Sequence, residues 1–94
     1  MLLKTMYLEN LQLYYSSICP YCVKVRIAMK IMGVELESKN IHSELSFKNE
    51  LIEGGGKKQV PCLRIQEDHN VRWLYESSDI VAYLRKTRDQ IILN

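Results

Sequence analysis

The chain has 94 residues, of which 47% are hydrophobic and 26% charged, and it carries a formal charge of +2 at neutral pH. A length of this order supports one buried core, so a single domain over residues 1–94 is expected. The small, scattered positive charge argues against nucleic acid as a partner, and no apolar run approaches the roughly 18–20 residues that a membrane crossing needs.

The first fifteen residues, MLLKTMYLENLQLYY, contain no uninterrupted apolar segment followed by a small-residue cleavage site, so they do not read as a secretion signal. A cytoplasmic location is expected. Residues 1–10 carry no clear pattern and fit an extra strand turn, a short helix or a tail. From Leu11 to Tyr15 the residues alternate, with Leu11, Leu13 and Tyr15 on one side, which predicts a short strand. Pro20 to Met32 (PYCVKVRIAMKIM) has the length of a helix, and Gly33 follows as its C′ residue. Apolar residues cover most of this helix's circumference, so it is expected to be covered on more than one side.

Val34 to Ile41 predicts a second strand. A second helix follows, with Ser43 as its N-cap, and ends at the glycines 54–56. VPCLRIQ (60–66) and VRWLYE (71–76) predict two more strands joined by the polar turn EDHN. SSDIVAYLRKT (77–87) predicts a last helix, with Ile80, Val81 and Leu84 on one face. The order is βαβ, then α, then ββα. Its first unit implies a parallel pair with a right-handed crossover. The expected fold class is α/β: a four-stranded mixed sheet flanked by three helices, with a core from about 11 to 87. No apolar stripe is evidently left over, so a monomer is expected.

Three cysteines, Cys19, Cys22 and Cys62, make an odd count, which argues against a secreted disulfide framework. Structural zinc needs four ligands, usually in two pairs. The other candidates, Cys62, His42 and His69, are not paired at ligand spacing, so no metal site is expected within the chain. The two histidines fall at turns and are read as solvated. A reactive pair has a mechanism. Cys19 sits in the loop before the first helix, and Pro20 falls at a helical position where its missing N–H costs nothing. The free N–H groups and the positive dipole end favour negative charge on that sulfur. Cys22 lies one turn inside, on the same side, in reach of Cys19 but less exposed. One cysteine would attack and the other resolve. A C-x-x-C at the strand-to-helix junction of a βαβ unit is a strong redox signal.

The tetrapeptide CPYC (19–22), together with GGKKQVP (55–61) and YESSDIVAYL (75–84), resembles a glutaredoxin over about Leu11 to Lys86. The resemblance implies a thioredoxin fold and glutathione as co-substrate, with no permanently bound cofactor. It further implies reduction of disulfide-bonded or glutathionylated proteins. Cys19 would be the nucleophile and Cys22 the resolving cysteine, with Tyr21 flanking the bound tripeptide. Val60-Pro61 matches the family's valine and cis-proline, which would bring the Val60 backbone against the cysteinyl amide of glutathione. Lys57 matches a basic position that meets the glycine carboxylate.

The Glu76-Ser77 pair departs from the glutaredoxin pattern and resembles the Glu-Ser motif of glutathione transferase N-terminal domains, which share the fold. Glu76 would take the γ-glutamyl ammonium; Ser77 and the helix start would take its carboxylate. Ser77 or Ser78 as a simple helix cap is the plainer reading of the same residues. Ser16 stands where many glutaredoxins have lysine; Cys62, following Pro61, is read as a small buried strand residue, with an extra mixed disulfide there as the alternative. Two alternatives remain: a 2Fe–2S cluster carrier, formed by two chains through Cys19 and glutathione, and a transferase-like conjugating domain. The expectation that no helical second domain follows Thr87 counts against the latter.

Overall fold

The computed structural model describes residues 5–93. Its elements are β1 (Met6–Tyr15), α1 (Pro20–Met32), β2 (Val34–Asn40), α2 (Leu45–Glu50), a π-helical turn (Leu51–Gly55), β3 (Cys62–Gln66), β4 (Val71–Leu74) and α3 (Ser77–Leu93). The strands form one sheet in the order β2-β1-β3-β4. β1 and β2 run parallel across the α1 crossover, and the other two pairs are antiparallel. This is the expected mixed sheet with the expected order of elements.

Side-chain alternation divides the sheet into two faces. Leu11 and Leu13 of β1 and Leu63 and Ile65 of β3 point to one face, where Val25 and Met29 of α1 and Ile80 and Leu84 of α3 cover them. Tyr14 and Cys62 point to the other face and pack with Ile41 and Leu51, beside Trp73 and Tyr75. Burying each large aliphatic side chain stabilises by ~1.5–3 kcal/mol, so the first layer carries most of the stability. The second layer is thin. α2 buries none of its own residues; it is tied down by a polar network in which the Tyr14 hydroxyl donates to Glu50 at 2.7 Å and Lys39 pairs with Glu50 at 2.8 Å.

Several element boundaries differ from the expectation. β1 begins at Met6, not Leu11, so residues 6–10 belong to the sheet; residues 1–4, part of the segment left open above, lie outside the described residues. The reason is an irregularity in the β1–β2 register between Tyr7 and Gln12. It lets Leu8 and Leu11 both face the core although they are three apart, which hides the period of two. Ser43 does not cap α2. Its hydroxyl donates to the Asn40 carbonyl at 2.8 Å, and Glu44 takes the N-cap position. β3 starts after Pro61, which has no N–H to give a ladder, and β4 ends at Leu74. α3 continues past Thr87 to Leu93 because no glycine or proline stops it, and Arg88 reaches the Met32 carbonyl at the end of α1.

α1 itself matches its predicted bounds, with Gly33 in the left-handed region at φ 71°. The sheet and α3 both pack against it, but its outer side is uncovered. Cys22, Val25, Met29 and Met32 are buried, while Val23, Ile27 and Ile31 are 40%, 55% and 81% exposed. An apolar stripe is therefore left over, and the ground given for a monomer falls away. A groove of about 640 Å³ between α1 and β2 partly shelters Val23 and Ile27. No described helix is long and apolar enough to cross a membrane.

The Lys39 ammonium, then the Tyr14 hydroxyl, holds the Glu50 carboxyl below the usual carboxylate range. A carboxyl depressed on folding stabilises above its unfolded pKa of about 4.3 and loses that contribution as pH falls through the folded value. Because Glu50 is 45% exposed, screening limits the effect to ~1 kcal/mol or less. Glu50→Gln is thus expected to lower stability by that amount at neutral pH and to converge with wild type in acid, as urea unfolding at several pH values will show.

Candidate active site at the start of the first helix

Cys19 is the N-cap of α1, with φ −91° and ψ 120°, and Pro20 occupies the first helical position. Its carbonyl accepts the Val23 N–H at 3.0 Å, closing the first turn. Its side chain caps nothing, and no acidic residue stands in that turn to offset the positive dipole end. The sulfur belongs to the residue at the helix end whose first N–H groups have no intrahelical partner. It is partly exposed. Across the site, the Cys19 thiol donates to the Val60 carbonyl at 3.8 Å, and the Val60–Pro61 peptide bond is cis, as the resemblance implies.

Cys22 shares the buried face of α1 with Val25 and Met29, so its sulfur is fully enclosed. The Ser16 N–H donates to it at 3.4 Å, while the Ser16 hydroxyl accepts the Ile18 N–H, also at 3.4 Å. Burial pushes the Cys22 thiol up to about 12; the Ser16 N–H opposes the rise and the Cys19 sulfur adds to it. Cys62 is buried on the opposite face of the sheet, and burial pushes its thiol up to about 12 as well, against the pull of the Tyr75 hydroxyl.

The other residues singled out by sequence, Tyr21 apart, lie on the loop before β3 and at the start of α3. Val60 meets Cys19 through its carbonyl, and Pro61 follows it across the cis bond. Lys57 lies on the loop before them, with its ammonium 4.7 Å from the centre of the Tyr75 ring. The Tyr75 hydroxyl donates to the Lys57 carbonyl at 3.3 Å, which ties that loop to the strand end leading into Glu76 and Ser77. Glu76 stands at the start of α3, its carbonyl accepting the Ile80 N–H at 2.9 Å, and Ser77 is the first helical residue. Tyr21 is exposed beside Cys19, and no described hydrogen bond fixes its side chain. Sequence reasoning missed two participants. The part Ser16 plays through its backbone leaves no side-chain signal. Tyr75 looks in sequence like any aromatic at a strand end, although its place directly before Glu-Ser is a hint.

A parallel βαβ unit with a dithiol at its helix start and a cis-proline opposite defines a dithiol protein of the thioredoxin fold. The chain belongs to the family described as glutathione S-transferase, N-terminal domain, whose model matches residues 18–87. It is 26% identical over 62 residues to glutaredoxin 3 of Escherichia coli K12, covering 66% of this chain and 75% of that one. Among solved structures, a trimeric glutathione transferase of Leishmania aligns over 82% of this chain at 25% identity with a TM-score of 0.66. A maleylacetoacetate isomerase of Anaeromyxobacter dehalogenans, solved with glutathione in its active site, aligns over 85% at 21% identity and a TM-score of 0.63. The chain spans only 17% and 38% of those two proteins.

The three sulfurs differ enough to be told apart chemically. A thiol pushed up to about 12 is ionised in about one molecule in 10⁵ at pH 7, and both such thiols are also enclosed. Brief iodoacetamide treatment of the reduced native protein is expected to label Cys19 and leave Cys22 and Cys62 unlabelled until denaturant is added. Peptide mass spectrometry reads the outcome.

Proposed function

We propose that this protein is a glutathione-dependent thiol–disulfide oxidoreductase that reduces protein–glutathione mixed disulfides and protein disulfides in the cytoplasm. The observation that carries the reading is the unequal pair: Cys19 partly exposed at the helix start and 3.8 Å from the Val60 carbonyl, Cys22 enclosed one turn further in. At the level of the family, its relatives support a glutathione-related thiol oxidoreductase.

In the proposed cycle the Cys19 thiolate attacks the glutathione sulfur of a mixed disulfide. The old S–S bond breaks, the target leaves as a thiolate that takes up a proton, and Cys19 becomes disulfide-linked to glutathione. A second glutathione thiolate attacks that glutathione sulfur, releasing oxidised glutathione and the Cys19 thiolate. With a protein disulfide, Cys19 bonds one sulfur and expels the other. Cys22 then gives up its proton and attacks Cys19, which frees the reduced target and leaves a Cys19–Cys22 disulfide for two glutathiones to reduce. Rates follow the ionisation, nucleophilicity and access of the attacking sulfur, and Cys19 is the better placed on access.

The tripeptide would lie between the start of α1 and the start of α3. Lys57 would meet the glycine carboxylate, and the Val60 backbone beside Pro61 would pair with the cysteinyl amide. Ser77 and the α3 N–H groups would receive the γ-glutamyl carboxylate, with Glu76 on its ammonium. Tyr21 would flank it. The family match also favours a second reading, conjugation of glutathione to an electrophile. Turnover of a chlorinated aromatic acceptor, with none of a glutathione mixed disulfide, would select it.

Cys19→Ser is expected to bring glutathione-dependent reduction of a small mixed disulfide down to background. Cys22→Ser is expected to keep more than about a tenth of it, since that route needs one sulfur only. Equal loss in both variants contradicts the assigned division of labour.

A further inference from the structure

The sequence offers two adjacent cations, Lys57 and Lys58, to a carboxylate. The π-helical turn ends in Gly54-Gly55, and Gly56 follows at φ 89°, the left-handed turn that releases the chain toward Lys57. Both glycines of the pair lie against aromatic rings. A Cβ at Gly54 would collide with the Trp73 ring, and a Cβ at Gly55 would collide with the Tyr75 hydroxyl. The space they leave open is where Tyr75 lies, with its hydroxyl on the Lys57 carbonyl at 3.3 Å and its ring face 4.7 Å from the Lys57 ammonium. Among the described residues, Lys58 has no such ring.

We propose that Tyr75 is a positioning residue that seats the Lys57 ammonium for the glycine carboxylate of glutathione, and that Gly55 is the gap that lets it do so. This rests on the exchange reading given above. The physical argument is preorganisation. A lysine side chain is among the most flexible, and binding must take away its rotamer freedom. An aromatic face under the ammonium and a hydrogen bond to the backbone of the same residue restrict both ends of that side chain before the ligand arrives. The ring leaves the charge exposed for a carboxylate, unlike a carboxylate partner, which would neutralise it. The tyrosine acts through the lysine and touches no reacting atom.

The test measures KM and kcat for the mixed disulfide of glutathione and 2-mercaptoethanol, and for the same compound with the glycine carboxylate converted to a carboxamide. With the acid, Lys57→Met is expected to raise KM about tenfold, and Tyr75→Leu about three- to fivefold. Tyr75→Phe, which keeps the ring under the ammonium, should stay within about twofold. Adding Tyr75→Leu to Lys57→Met should raise KM no further, because both act on one interaction. Gly55→Ala, which pushes the ring aside while leaving Tyr75 intact, should raise KM in the same direction. With the carboxamide these differences should disappear, which a merely structural effect would not do. A wild-type KM in Tyr75→Leu, effects that multiply in the double variant, or a rise that persists on the carboxamide overturns the role of Tyr75 alone. An unchanged KM in Lys57→Met removes the glutathione contact itself, and the seating role with it. No turnover of the mixed disulfide by wild type overturns the exchange reading first.

Discussion

The rotation of α1 about its own axis decides what its two cysteines can be. Val25 and Met29 must face Leu11, Leu13, Leu63 and Ile65 to bury apolar surface, and at ~1.5–3 kcal/mol for each large side chain no local preference overrides that. With those positions fixed, the helical repeat carries Cys22 to the inner face, three residues before Val25. Cys19 falls another turn back, where the helix has not begun to hydrogen-bond its own N–H groups. One sulfur is thereby enclosed and the other left at the mouth. The asymmetry that the proposed exchange needs is a by-product of core packing, and no separate device is required to create it.

A second arrangement joins distant parts of the chain. Residues 57, 60–61 and 75–77 arrive from a loop, a strand start and a helix start. Tyr75 links the first to the last, while the Val60 carbonyl stands 3.8 Å from the Cys19 sulfur. The close approach of Gly54 and Gly55 to Trp73 and Tyr75 explains why the α2 layer can be so thin and still hold its place. Glycine is used there because a side chain would fill the space, not for a special backbone angle. Only Gly56 of the three has positive φ.

Much of this was legible in the residues because its causes are local. The CPYC tetrapeptide, proline at the first helical position and glycine at the end give α1 its bounds without reference to anything distant. The order of elements, and with it the sheet, followed from the same kind of punctuation. The misses share the opposite property. The first half of β1 breaks alternation through a register irregularity that only its partner strand reveals. Ser43 has the chemistry of a cap, but the Asn40 carbonyl takes its hydroxyl. The apolar circumference of α1 hides which side stays open, and only tertiary structure shows Val23, Ile27 and Ile31 facing outward. Tyr75 was hidden for a related reason. An aromatic at a strand end reads as core until the lysine eighteen residues earlier is found above its ring.

The environment of Cys22 bears on the order of events in the proposed cycle. Burial is the largest influence raising its thiol, yet part of the rise comes from Cys19, through a hydrogen bond and through charge. Both of those contributions require a free Cys19 sulfur. Once Cys19 is bonded to a target, it holds neither proton nor charge, and only burial still opposes ionisation of Cys22, while the Ser16 N–H and Arg26 continue to favour it. In the proposed exchange, bonding of Cys19 to a target therefore removes one influence against ionisation of Cys22, while burial, the largest, remains.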